Sequence, residues 1–125
     1  MSKKILISTE QVEMEATLNN SKTASLIWDN LPLSGIVNTW GDEIYFSIPV
    51  EASSEDAVDV VELGDIAYWP EGKCFCIFFG QTPASTAMEI KPAGPVNLLG
   101  RLEGEPELWK KVPVRSPITL KKAVE

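Results

Sequence analysis

Cys74 and Cys76 carry the only thiols in the sequence, and they lie two positions apart. On a strand, that spacing puts both on one face. C-x-C is not the C-x-x-C of redox and zinc motifs. Two cysteines alone cannot close a zinc site, and the chain has no histidine to complete one. The same lack of histidine removes Ser-His-Asp and Cys-His catalysis. A reactive thiol needs an electropositive neighbour, and Lys73 is the only one close in sequence. The pair therefore reads as inert core thiols.

The second group with chemical potential is acidic. Glu51, Glu55, Asp56, Asp59 and Glu62 place five acids within twelve residues. A weak divalent-cation site is one reading of such a cluster. The spacing does not match an EF-hand loop, and no glycine stands at the required turn position. The stretch from Pro49 to Glu62 is instead expected to be a solvated loop or a single helical turn, with no metal and no cofactor. Gly100, in Leu-Leu-Gly-Arg-Leu-Glu-Gly, is a lone glycine and not a phosphate loop.

Charge excludes more than any motif suggests. The net charge is −7, and no lysine or arginine occurs between Lys22 and Lys73, against ten acids. Nucleic acid requires a basic footprint, and this chain has only a mild basic bias after Arg101. Nucleic-acid and anionic-membrane partners are not expected. Eight of the ten aromatic residues fall between Trp40 and Phe79. Core packing accounts for most of them, and a cluster rimming a concave groove is the functional alternative.

At 125 residues, 44% hydrophobic and 23% charged, the chain has the composition of one ordinary globular domain spanning 1–125. No apolar run approaches the roughly 20 residues of a membrane span. The opening Met-Ser-Lys-Lys-Ile-Leu-Ile-Ser reads as a first strand and not as a signal peptide. With only two cysteines and no export signal, a cytoplasmic location is expected.

The elements that would position these residues follow from periodicity. Ile5–Ser8 and Val12–Leu18 are strands, the second alternating Val12, Met14, Ala16 and Leu18 against Glu13, Glu15 and Thr17. Asn19-Asn20-Ser21 supplies helix-capping chemistry. Ala24, Ile27, Trp28 and Leu31 then form one apolar stripe, and Pro32 ends the helix. Gly35–Trp40 and Ile44–Ile48 are the next strands, with Ile44, Phe46 and Ile48 on one face and Tyr45 and Ser47 on the other. Ile66–Trp69 and Cys74–Phe79 form a hairpin across Pro70-Glu71-Gly72-Lys73, where Gly72 can supply a left-handed turn position. The second of these strands is apolar on both faces, so it belongs at the centre of the fold. Val96–Leu102 is a strand with a bend or bulge at Gly100. Glu105–Lys111 is a short helix with an early proline and late lysines, and Pro117–Lys121 is a last strand. Eight strands and two short helices in this order imply a mainly β fold: a closed antiparallel eight-stranded barrel capped by two short helices.

Three phrases carry a resemblance: the hairpin GDIAYWPEGKCFCIFFGQTP, the strand CFCIFFG within it, and VNLLGRLEGEPELWKKV after the following loop. Their order and the topology from Ile5 to Lys121 resemble the cyclophilin fold. The closer likeness is to small stand-alone cyclophilin-like proteins of bacteria and archaea, a group without a settled activity. The resemblance implies a groove against an apolar wall, here expected at Phe75 with Tyr45 and Trp69. It also implies an arginine aimed at a prolyl amide from the strand after the first helix. That strand, Gly35–Trp40, holds no arginine, and Asn38 is its nearest polar candidate. The histidine expected near the late strand is also missing, with Asn97 the closest polar side chain there. On strand Val96–Leu102 Arg101 shares a face with Asn97 and Leu99; if that face points into the groove it would substitute for the missing cation, although an outer, solvated position is the expectation.

No residue is therefore assigned a catalytic role. The expected function is a module that binds a peptide or a small molecule in an aromatic groove. Two alternatives stand beside it: a weak atypical peptidyl-prolyl isomerase using Asn38, Asn97 or Arg101 as donor, and a homo-oligomeric interaction protein, most simply a homodimer.

Overall fold

The computed structural model describes residues 3–123, so the outermost two residues at each end lie outside the described residues. Strands β1 (Lys4–Ser8) and β2 (Glu13–Leu18) form the opening hairpin, with Ile5 opposite Ala16 and Ile7 opposite Met14. The Thr9 hydroxyl and backbone exchange hydrogen bonds with Val12 to close the turn. Helix α1 (Lys22–Asp29) begins where expected, the Ser21 hydroxyl accepting from the Ala24 N–H at 3.1 Å. Thr23, Ala24 and Ile27 are its buried residues.

The stretch expected as one strand over Gly35–Trp40 is two. Strand β3 (Leu33–Ile36) pairs with the last strand of the chain, and β4 (Asn38–Thr39) pairs with the next strand, β5 (Glu43–Ser47). Val37 sits fully buried between them, its backbone bonded to Ser116 and Arg115. The chain here leaves one edge of the sheet and joins the other, a corner that a curled sheet requires. Gly35 permits it, since a Cβ there would stand 2.8 Å from Phe46 Cδ2. The remaining strands are β6 (Asp65–Trp69), β7 (Cys74–Phe78), β8 (Asn97–Leu102) and β9 (Pro117–Lys122). The order β3-β9-β1-β2-β8-β6-β7-β5-β4 is antiparallel throughout and makes a nearly closed barrel of nine strands, where eight were expected.

The barrel interior holds the larger apolar cluster. Phe46 and Phe75 meet there with ring centroids 5.4 Å apart, and Trp109 is wholly buried. Trp109 comes from the short helix expected here, a 3₁₀ helix over Pro106–Lys111, and its indole N–H donates to Met14 Sδ at 3.3 Å. A second cluster lies on the outer face of β6 and β7, where Ala67, Cys74, Cys76 and Phe78 pack under Val61 and Val96. Strand β7 is thus covered on both sides, as its continuous apolar run requires, and both thiols lie on the outer face and are buried. Burial raises the pKa of each, that of Cys76 most strongly.

Part of that cover comes from the acidic segment, which is the irregular loop expected of it, with Glu51, Asp56, Asp59 and Glu62 exposed and Val61 buried. Val58 bridges Val96 and Val61 bridges Ile90. Glu55 reaches the start of α1 and accepts from the Lys22 N–H, the Thr23 N–H and the Thr23 hydroxyl. A carboxylate on free N–H groups at a helix start is favourable, and these bonds hold its pKa below the ordinary value.

Candidate functional site

A cavity of about 230 Å³ opens on the outer face, lined by Trp40, Glu43, Tyr45, Trp69, Pro92, Ala93 and Val96. Strand alternation places Glu43 and Tyr45 on the same side of β5, while Ile44 and Phe46 point into the barrel. Trp40 stands at the turn into β5, where its backbone and that of Glu43 bond reciprocally at 3.0 and 3.2 Å. Trp69 ends β6 at the far side of β7. Its ring lies between two glycines: a Cβ on Gly72 would be 2.5 Å from Cε3, and one on Gly94 would be 3.0 Å from Nε1. The left-handed turn position is accordingly not Gly72 but Lys73, at φ 53°, and Gly72 serves to admit the indole.

Two polar groups in this apolar setting lack ordinary partners. Trp69 Nε1 is buried with no hydrogen-bond acceptor. Glu43 is only 5% exposed, and among the described residues it forms no ion pair. Burial raises its pKa to about 7, opposed only in part by a hydrogen bond from the Cys76 thiol.

The residues expected at the groove divide. Tyr45 and Trp69 line the cavity. Phe75 does not: it is fully enclosed in the barrel interior, because the odd-numbered positions of β7 face inward. Asn38 faces Tyr45 across the β4–β5 pair but is exposed and outside the lining, its amide donating to the Ile36 carbonyl at 3.4 Å.

Asn97 is buried and fully engaged. Its Oδ1 accepts from the Glu55 N–H at 2.8 Å, and its Nδ2 donates to Thr23 Oγ1 and the Ser53 carbonyl. It ties the acidic segment to α1 and is no free donor. Asn97→Ala is expected to cost about 2 kcal/mol, from buried partners left unpaired. Equilibrium urea denaturation measures it, and a change below about 0.5 kcal/mol would contradict the assignment.

Arg101 does not share a face with Asn97 and Leu99. A bulge puts Ile66 opposite Gly100 and Ala67 opposite Leu98, so one extra residue of β8 inverts the alternation beyond Leu99. Arg101 points outward, 2.8 Å from Asp65 and 3.4 Å from Glu62, and donates to the Leu63 carbonyl. At Asp65 burial outweighs the guanidinium, and its pKa is raised.

Trp40 and Glu43 were missed. The alternation that sets Tyr45 opposite Ile44 and Phe46 also carries Glu43 to the Tyr45 side, and that was the available signal. Pro92, Ala93 and Val96 arrive from a loop whose path has no periodic signature.

A family model described as Cyclophilin-like matches residues 3–121. The solution structure of a hypothetical protein from Archaeoglobus fulgidus is 40% identical, with a TM-score of 0.85 over 98% of this chain and 95% of that chain. No curated protein matches. Among the described residues no helix is long and apolar enough to cross a membrane.

Proposed function

This chain belongs to the cyclophilin-like family, and on that premise we propose that it is a cytoplasmic binding module whose ligand site is the cavity at Trp40, Glu43, Tyr45 and Trp69. The observation that carries the reading is the convergence of three aromatic side chains on a buried carboxyl with no ion-pair partner. Sites for small ligands have this character, with apolar walls and a few placed polar groups.

Isomerase chemistry is less well supported. Twisting an amide faces a barrier of about 18–20 kcal/mol, and an enzyme lowers it with a fixed donor beside the amide. The donors considered from the sequence, Asn38, Asn97 and Arg101, all lie outside the cavity lining. The cavity offers a carboxyl group in their place.

The test is an amide and indole NMR titration with a panel of small organic molecules and an X-Pro peptide. Shifts centred on Trp40, Tyr45 and Trp69 are expected from part of the panel. In the same samples, X-Pro exchange is expected to run at the uncatalysed rate. A panel that moves none of these resonances removes the reading.

A further inference from the structure

We propose that the cavity is a cage for an N–H-bearing ammonium group, with Trp40, Tyr45 and Trp69 as its aromatic walls and Glu43 as its counter-ion. This rests on the pocket reading above and names the chemistry of the ligand. Aromatic faces attract cations through their quadrupole, and the attraction grows when water is excluded. A carboxylate at the same site adds a charge-assisted hydrogen bond to any ammonium that carries a proton.

The alternatives fit less well. An anion would be repelled by Glu43. A neutral apolar ligand would deepen the desolvation of that carboxyl without compensating it. The size is that of a head group or one side chain: about 230 Å³, below the roughly 300–1,000 Å³ of sites that hold a whole drug-sized molecule. The surrounding field is also suited to a cation. The chain carries no lysine or arginine from residue 23 to 72, a span that supplies Trp40, Glu43, Tyr45 and Trp69. Opposite these, Pro92, Ala93 and Val96 bear no charge.

Protonation of Glu43 should then govern binding. The titratable groups facing it are the thiols of Cys76 and Cys74 on β7 and Tyr45 on its own strand. Both thiols are held protonated by burial, whereas Glu43 changes charge between pH 5 and pH 8. Its pKa of about 7 leaves it about 99% protonated at pH 5 and mostly ionised at pH 8. An alkylammonium, with a pKa near that of lysine at about 10.4, stays charged at both.

The experiment titrates the protein with n-butylammonium, butan-1-ol and butyrate at both pH values, reading the Trp69 indole N–H and the Glu43 and Tyr45 amides by NMR. At pH 8, n-butylammonium is expected to bind about tenfold or more tighter than butan-1-ol, and butyrate not to bind. At pH 5 that preference falls to what the aromatic walls alone supply. Glu43→Gln, which keeps the shape and removes the charge, keeps at both pH values only the weaker preference that the aromatic walls supply, while still binding butan-1-ol. Nα-acetyl-lysine amide separates the sources: tighter binding than n-butylammonium points to a lysine in a chain, equal or weaker binding to a free amine, and either supports the cage. Equal affinity of n-butylammonium and butan-1-ol at pH 8, or a preference undiminished in Glu43→Gln, overturns the ammonium cage with Glu43 as its counter-ion and leaves the pocket standing. No shift with any probe overturns both.

Discussion

Glu43→Gln is expected to make the protein more stable at pH 8 by roughly 3 kcal/mol and to leave it nearly unchanged at pH 4.5. An unfolded glutamate titrates at the ordinary value of 4.5, and this one, folded, at about 7. Between those values the folded state binds more protons than the unfolded state, so stability falls as pH rises. The loss begins near pH 4.5, is complete just above 7, and at about 1.4 kcal/mol per pH unit reaches the stated size. Glutamine cannot ionise and is spared it. Glu55 and Glu103 act in the opposite sense and in a different window. Hydrogen bonds lower both of their pKa values, from Thr23 at Glu55 and from Thr17 at Glu103, so their contribution is present above the ordinary carboxylate value and lost below it. Urea denaturation of both proteins from pH 4.5 to 8 separates the effects. Parallel curves with no widening gap toward pH 8 would show that Glu43 is not buried as described. A protein that keeps a destabilising carboxylate in an aromatic cavity keeps it for something other than stability, which is why the cavity and the residue are read together.

Gly100→Ala is expected to cost about 4 kcal/mol or more, among the largest losses available from a single methyl group. A Cβ at that position would stand 1.8 Å from the Thr17 carbonyl oxygen and 3.0 Å from Leu18 Cα. These are backbone atoms of β2, held in the β2–β8 ladder, and they cannot rotate away as a side chain can. The φ of +153° is also one that only glycine adopts without strain. Relief requires either that β2 and β8 part or that the bulge is lost, which would turn Arg101 inward and away from Asp65. Gly104→Ala is the matched control. The obstacle there is the Met14 side chain, with Cε at 2.9 Å and Sδ at 3.1 Å; it can shift where backbone cannot, at the expense of its bond from the Trp109 indole, so a smaller cost of about 1–2 kcal/mol is expected. Denaturant titration of both variants is the measurement, and a Gly100→Ala protein within 1 kcal/mol of the parent would contradict the bulge geometry.

The hairpin at Gly64–Pro83 shows how much was legible. Strand β7 is apolar at every position, and a strand apolar on both faces must be covered on both. That reasoning is local and it held, down to the shared outer face of Cys74 and Cys76. The Ser21 cap and the α1 stripe held for the same reason, since capping and helical periodicity depend on neighbours within a few residues. Phe75 failed because an alternating strand says which residues share a face and not which face is the inside. Only the barrel's curvature decided that β7 turns Phe75 and Ile77 inward.

The strand count and the face shared by Arg101, Asn97 and Leu99 failed for a related reason, although the outer position expected of Arg101 held. A corner at Val37 and a bulge at Leu99–Gly100 are responses to closing a twisted sheet, and they exist only in relation to strands distant in sequence. Gly35 and Gly100 marked where such irregularities could fall without saying what they would do.

By itself the sequence determined a mainly β chain of the cyclophilin-like kind, because that is a matter of residue type and order. It also determined the acidic, cation-free span from residue 23 to 72. The tertiary structure alone decided that Trp40, Glu43, Tyr45 and Trp69, drawn from two strands that never pair and from the turn before one of them, meet at one cavity under Pro92 and Ala93. Burial is what turned Glu43 from one of eighteen acids into the residue on which the proposed site depends: a carboxyl shows its chemistry only once the fold has taken away its water.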